Sequence, residues 1–130
     1  MTGFSTDRDR TLAALVCDDD PVVRRIVTAV LQRSGFSRIE QTEFASEAVD
    51  LAEALQPDVI VLDLTLDGEN GLDAIPELRA VAPESRIVVY SGTEAMKVPA
   101  RRAGAHAVLN KVSMASVMEL EQAVTEGAVR

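Results

Sequence analysis

The sequence predicts an α/β protein, a doubly wound five-stranded parallel sheet with helices on both faces. Two observations carry this. Short apolar runs rich in β-branched residues and bounded by breakers read as strands buried on both faces. Leu12–Cys17 and Val59–Leu62 are the clearest. Between such runs lie stretches with apolar residues at helical spacing, so strands and helices alternate five times through mostly short connections. A third observation concerns where the runs stop. The first enters Asp18-Asp19-Asp20 and the second ends at Asp63. In an open parallel sheet the carboxyl ends of the strands share one edge, and ligands bind there.

The elements follow in order. Pro21 suits the first turn of a helix, and Val23, Ile26, Val27, Val30 and Leu31 follow at helical spacing up to Gly35. Arg38 to Thr42 is a weaker, more polar strand. Phe44, Ala48, Leu51, Ala52 and Leu55 form a second helical stripe, ended by Pro57. Asp58 to Leu64 is the second buried strand, and Thr65 to Gly71 a loop dense in turn residues. Leu72, Ile75, Leu78 and Val81 suggest a third helix, in which Pro76 should kink the chain or lie near the start. Arg86 to Tyr90 is a third clear strand, closed by Ser91-Gly92. Pro99 to Ala103 reads as a short helix stopped at Gly104. Ala107 to Leu109 is a short strand leading to Lys111. Ser113 is an N-cap candidate for a last helix carrying Met114, Val117, Met118 and Val124.

The chain has 130 residues, enough for one domain with a real core. The domain is expected over residues 11–130, after a polar, disordered tail at 1–10. A net charge of −8 argues against nucleic-acid binding, which relies on positive charge. A single cysteine, Cys17, excludes an internal disulfide and fits a reducing, cytoplasmic compartment. No apolar stretch approaches the roughly 18–20 residues a membrane span needs, so no membrane insertion is expected.

Asp18, Asp19 and Asp63 would crowd one crevice. Carboxylates that close raise one another's pKa unless something positive sits among them. Oxygen ligands of this number and charge suit Mg²⁺, which leaves positions open for phosphate. Ser91 and Lys111 fall at the ends of two further strands. A carboxylate, a metal-binding acidic pair, a hydroxyl and an amine make a complete set for phosphoryl transfer to a carboxylate.

This set, in this order, resembles the receiver domain of two-component response regulators, over Leu12 to about Gly127. Pro57-Asp58-Val59-Ile60-Val61-Leu62-Asp63-Leu64 with the later Gly71 is similar to the family's phospho-acceptor strand and loop, and Val16-Cys17-Asp18-Asp19-Asp20-Pro21 to its acidic-pocket motif. The resemblance implies a flavodoxin-like receiver fold with Asp63 as phospho-acceptor. It implies Asp19 as a direct Mg²⁺ ligand, Asp18 acting mainly through water, and the backbone carbonyl of Thr65 as a further ligand. Ser91 would follow the phosphoryl group, and Lys111 would pair with Asp63 or the phosphate. The donor would be a sensor histidine kinase or phosphotransfer protein, the recipient of the signal an unknown output protein or domain. The chain would be a signalling switch that promotes its own phosphorylation and dephosphorylation, not an enzyme acting on other substrates. A stand-alone receiver, or one excised from a longer protein, is expected, with no DNA-binding module after the last helix.

Several residues depart from the pattern. Val112 stands where proline often follows the lysine in a cis bond. Before a non-proline residue cis costs about 3 kcal/mol, so trans is the default. Val108 stands where the aromatic switch residue is expected, and Asp67 where the loop often has proline. The stretch from Ser91 to Lys111 is about two residues short and contains Pro99. Any signal is therefore expected to travel through the Ser91–Thr93 loop and the short helix near Pro99, a segment expected to be less well ordered than the rest.

Each residue also has a blander role open to it. Asp19 or Asp20 could simply cap a helix, Ser91-Gly92 could be a turn, and Lys111 a solvated lysine. Their agreement at strand ends favours the functional reading. His106 reads as a surface residue without zinc-ligand neighbours, Met114 and Met118 as core, and Arg101-Arg102 as a solvated face. Two other function classes compete: a degenerate receiver used as a phosphorylation-independent binding or dimerisation module, and a haloacid-dehalogenase-like phosphatase. The latter carries a second aspartate two residues after its nucleophile, where this chain has Thr65.

Overall fold

A computed structural model describes residues 11–66, 69–92, 94–113 and 115–128. In chain order the elements are β1 (Leu12–Cys17), α1 (Pro21–Arg33), β2 (Phe36–Thr42), α2 (Ala45–Leu55) and β3 (Val59–Leu62). Then come β4 (Thr65–Leu66), β5 (Glu69–Asn70), α3 (Gly71–Val81), β6 (Arg86–Ser91), a 3₁₀ turn (Glu94–Met96), α4 (Lys97–Ala103), β7 (Ala107–Asn110) and α5 (Ser116–Ala128). Five strands form one parallel sheet in the order β2-β1-β3-β6-β7. The order reverses between β1 and β3, a switch point that opens a crevice at the strands' carboxyl ends.

Alternation along the central strands explains how both faces are covered. Leu15, Cys17, Ile60, Leu62, Ile87 and Val89 pack against α2, α3 and Ala100 of α4. Ala14, Val16, Val59, Val61, Val88 and Tyr90 pack on the other side against Val27, Val30 and Leu31 of α1 and Leu120, Ala123 and Val124 of α5. Strand β2 is polar because it is an edge strand, buried only at Phe36, Thr42 and partly at Ile39.

Several expectations need correction. The strand expected over Asp58 to Leu64 stops at Leu62, and part of the following loop is a small antiparallel hairpin that pairs Thr65 with Asn70 and Leu66 with Glu69. The Gly71 amide donates to the Leu64 carbonyl at 3.0 Å, which turns the chain out of the main sheet. Met118 is not core but 75% exposed. The buried face of α5 is Ser116, Leu120, Ala123, Val124 and Gly127, and a residue two positions away lies about 200° around the helix. Ile26 and Phe44 are likewise exposed at the margins of their helices. Pro76 lies inside α3, which spans Gly71–Val81, and not close to its start. Pro99 lies in the first turn of α4, where helical amides have no partners to lose. The expectations for the tail at 1–10, Asp67, Thr93 and Met114 fall outside the described residues.

His106 bridges to the neighbouring strand. Its amide donates to the Ile87 carbonyl at 2.9 Å, and its Nδ1 accepts from the Ile87 amide at 3.0 Å. Burial, with the charges of Arg79 and Arg86, holds its pKa below the ordinary 6.5. The folded state thus binds a proton less readily than the unfolded chain, and stability should be lost as pH falls below 6.5 toward the lowered value. Between pH 7.5 and 5.5 the melting temperature of the wild type should fall further than that of His106→Gln, which keeps an acceptor but does not titrate. Parallel curves for the two proteins would refute this role.

Candidate functional site

Backbone pairing places each site residue at or one step beyond a strand end. The Asp18 amide donates to Thr42 O at 3.1 Å, the Asp63 amide to Cys17 O at 2.9 Å, and the Lys111 amide to Ser91 O at 3.0 Å. Strands β1, β3, β6 and β7 therefore deliver Asp18, Asp63, Ser91 and Lys111 to the same edge. The turn into α1 adds Asp19, while Asp20 caps the helix by accepting from the Val22 amide at 2.9 Å. The bland N-cap role thus belongs to Asp20.

The carboxylates converge. One oxygen each from Asp18, Asp19 and Asp63 lies within 4.8 Å of the others. Asp18 and Asp63 are buried and Asp19 is half-buried. Lys111 reaches into this group, its Nζ 2.7 Å from Asp18 Oδ2 and 3.2 Å from Asp63 Oδ2. The remaining oxygens of those two carboxylates accept backbone amides: Asp18 Oδ1 from Asp20 at 2.9 Å, and Asp63 Oδ1 from Thr65 at 3.2 Å.

Charge and burial oppose one another here. Burial raises the Asp18 pKa, and the Asp63 charge adds to this. Together they outweigh the lowering by Lys111 and the Asp20 amide. Burial alone would lower the Lys111 pKa, but the carboxylates of Asp18 and Asp63 raise it above the ordinary value, so the amine stays cationic. One lysine among three carboxylates leaves the pocket acidic.

Ser91 sits at the same edge but bonds none of these groups. It is buried, and its hydroxyl has no hydrogen-bond partner among the described residues. An unpaired buried hydroxyl is costly unless something else meets it. The Lys111–Val112 bond is trans, like every described peptide bond, and Val112 is exposed. Val108 is half-buried on the α2–α4 side of the sheet. Tyr90, the sole tyrosine, lies on the opposite side and bonds Ser116 Oγ at 3.1 Å. It does not stand in for the missing ring.

One group at this edge is not marked by the sequence reading. Arg24 Nη1 donates to the Asp18 backbone carbonyl at 2.7 Å. A contact to a backbone carbonyl leaves no residue pattern to read.

A family model described as the response regulator receiver domain matches residues 14–125. The chain belongs to the response regulator receiver family. This receiver is 32% identical over 93 residues to the chemotaxis protein CheY of Thermotoga maritima, covering 70% of this chain and 78% of that protein. It is 30% identical over 115 residues to the transcriptional regulatory protein PdtaR of Mycobacterium tuberculosis. That match covers 85% of this chain but only 56% of PdtaR, so the receiver spans little more than half of that protein's length. A response regulator from Burkholderia pseudomallei, solved with a phosphorylated aspartic acid and a calcium ion, superposes with a TM-score of 0.72. The two are 29% identical, over 91% of this chain and 73% of that one. Among the described residues no helix is long and apolar enough to cross a membrane.

Proposed function

We propose that this receiver takes a phosphoryl group onto Asp63 from a sensor histidine kinase or phosphotransfer protein, in a Mg²⁺-dependent reaction, and so switches the binding of an output protein or domain. The observation that carries this reading is the gathering of Asp18, Asp19 and Asp63 around one cationic lysine. One Asp63 carboxylate oxygen attacks phosphorus, an O–P bond forms, and the bond to the donor nitrogen breaks with its electron pair leaving on that nitrogen. Lys111 stays protonated and meets negative charge on the phosphoryl oxygens. The buried Ser91 hydroxyl, which has no partner among the described residues, donates to another phosphoryl oxygen. Attack by water at phosphorus later breaks the Asp63 O–P bond, releasing inorganic phosphate and the free carboxylate.

The donor set fits a hard divalent cation: three carboxylates, with an acidic balance that one lysine does not neutralise. Asp19, Asp63 and the Thr65 carbonyl would hold Mg²⁺ directly, and Asp18 mainly through water. When bound, the ion supplies positive charge against the transferring group. The added charge of the phosphoryl group then biases the loops after β6 and β7. The acidic balance favours protein partners over nucleic acid, and the single cysteine suits a reducing, cytoplasmic setting.

Incubation with acetyl phosphate and Mg²⁺, followed by mass spectrometry, tests the reading: one phosphoryl group should add, and none after chelation. No Mg²⁺-dependent labelling would leave the phosphorylation-independent binding module as the better account. In a calorimetric titration, Asp19→Ala should weaken Mg²⁺ binding by at least about tenfold, the scale of losing one charged ligand. Unchanged affinity would remove Asp19 from the ligand set.

A further inference from the structure

We infer that Arg24 is a positioning residue for the acidic pair, acting through the peptide that joins Asp18 to Asp19. This rests on the proposed reading of those residues as a Mg²⁺ site. The Asp18 amide is fixed by Thr42 O of β2, and one carboxylate oxygen by the Asp20 amide. The Asp18 carbonyl lies beyond the end of β1, where no backbone amide among the described residues donates to it. Arg24 supplies one, at 2.7 Å. The short distance suits a charge-assisted bond.

Geometry explains why this position can do it. Side chains in a helix tilt toward its N-terminus. Arg24 lies in the first turn of α1, and its own amide donates to Asp20 O at 3.0 Å. Its side chain therefore runs back over the turn that carries Asp18, Asp19 and Asp20. The peptide plane between Asp18 and Asp19 sets the direction in which both side chains leave the backbone. If the plane is free to rotate, the Asp19 carboxylate loses its placement relative to Asp18 and Asp63. Arg25, the next residue, is exposed and serves as a charge-matched control.

The test is Mg²⁺ titration by calorimetry on the full chain, with melting curves beside it. Arg24→Met keeps the aliphatic stem and removes the donor; affinity should fall about tenfold, the scale of a lost charge-assisted hydrogen bond. Arg24→Lys retains a donor of nearly the same reach and should recover at least half of that loss on a logarithmic scale. Arg25→Met should bind as the wild type does. In nitrogen-edited NMR of the metal-free protein, the Asp19 and Asp20 amides should shift in Arg24→Met and return toward their original positions in Arg24→Lys. A purely structural arginine would lower the melting temperature and leave the affinity of the folded protein alone. Wild-type affinity in Arg24→Met, or equal loss in Arg24→Met and Arg24→Lys, overturns the inference. Should Arg24→Met fail to fold, Arg24→Gln, which is too short to reach the carbonyl, takes its place with the same expected loss. If the wild type itself binds no Mg²⁺, the proposed function falls first and takes the inference with it.

Discussion

Asp63→Asn should gain no phosphoryl group under conditions that label the wild type to completion. The substitution keeps the shape of the side chain and one oxygen that can still accept the Thr65 amide, so the turn after β3 has little reason to move. What disappears is the nucleophile, because an amide oxygen does not carry the charge that attacks phosphorus. The fold should survive. Removing one of three crowded carboxylates relieves repulsion, and Lys111 keeps its 2.7 Å partner in Asp18. The melting temperature should therefore hold or rise while labelling is lost. Labelling of Asp63→Asn at full stoichiometry would place the acceptor elsewhere, and Asp18 and Asp19 would be the residues to replace next.

A second large effect is expected at Gly71, which makes no contact with the reacting group. A Cβ added there would lie 2.4 Å from the Asp63 carbonyl oxygen and 2.8 Å from the Leu64 Cα. Both are backbone atoms in the turn that presents the acceptor, so neither can swing aside as a side-chain tip would. Alanine in place of glycine inside a helix ordinarily gains about 1 kcal/mol. Here α3 begins at Gly71, and the clash should outweigh that gain, with a net cost of roughly 1–3 kcal/mol, the range for overpacking. Because the strain falls on Asp63 itself, the labelling rate of the folded fraction should drop as well. Gly71→Ala melting and reacting like the wild type would show that the β3–α3 connection yields more easily than its packing suggests.

The sequence makes the central strands legible because they are buried on both faces. Leu12–Cys17, Val59–Leu62 and Arg86–Ser91 are nearly continuous apolar runs, a pattern a surface segment cannot sustain. β2 is fainter because an edge strand mixes polar and apolar positions. The β4–β5 hairpin is silent because two-residue strands have no period. The apolar face of α5 misleads because Val117 and Met118 are apolar and yet exposed. At the site, Asp18, Asp19, Asp63 and Lys111 are readable because each follows a recognisable strand, and strand ends share an edge. The Arg24 contact is not readable: its partner is a carbonyl, and every residue has one.

The hydrogen bond between Tyr90 and Ser116 has a practical consequence. The chain contains one tyrosine and no tryptophan. Its tyrosine emission therefore comes from a single ring, buried one residue before Ser91, with its hydroxyl bonded to the first residue of α5. Tyrosine emission responds to what its hydroxyl touches. The protein thus carries a built-in optical probe at the root of the β6 edge, read without any label. Ser116→Ala should alter the spectrum of the resting protein, and so define the signal against which events at the crevice can be timed.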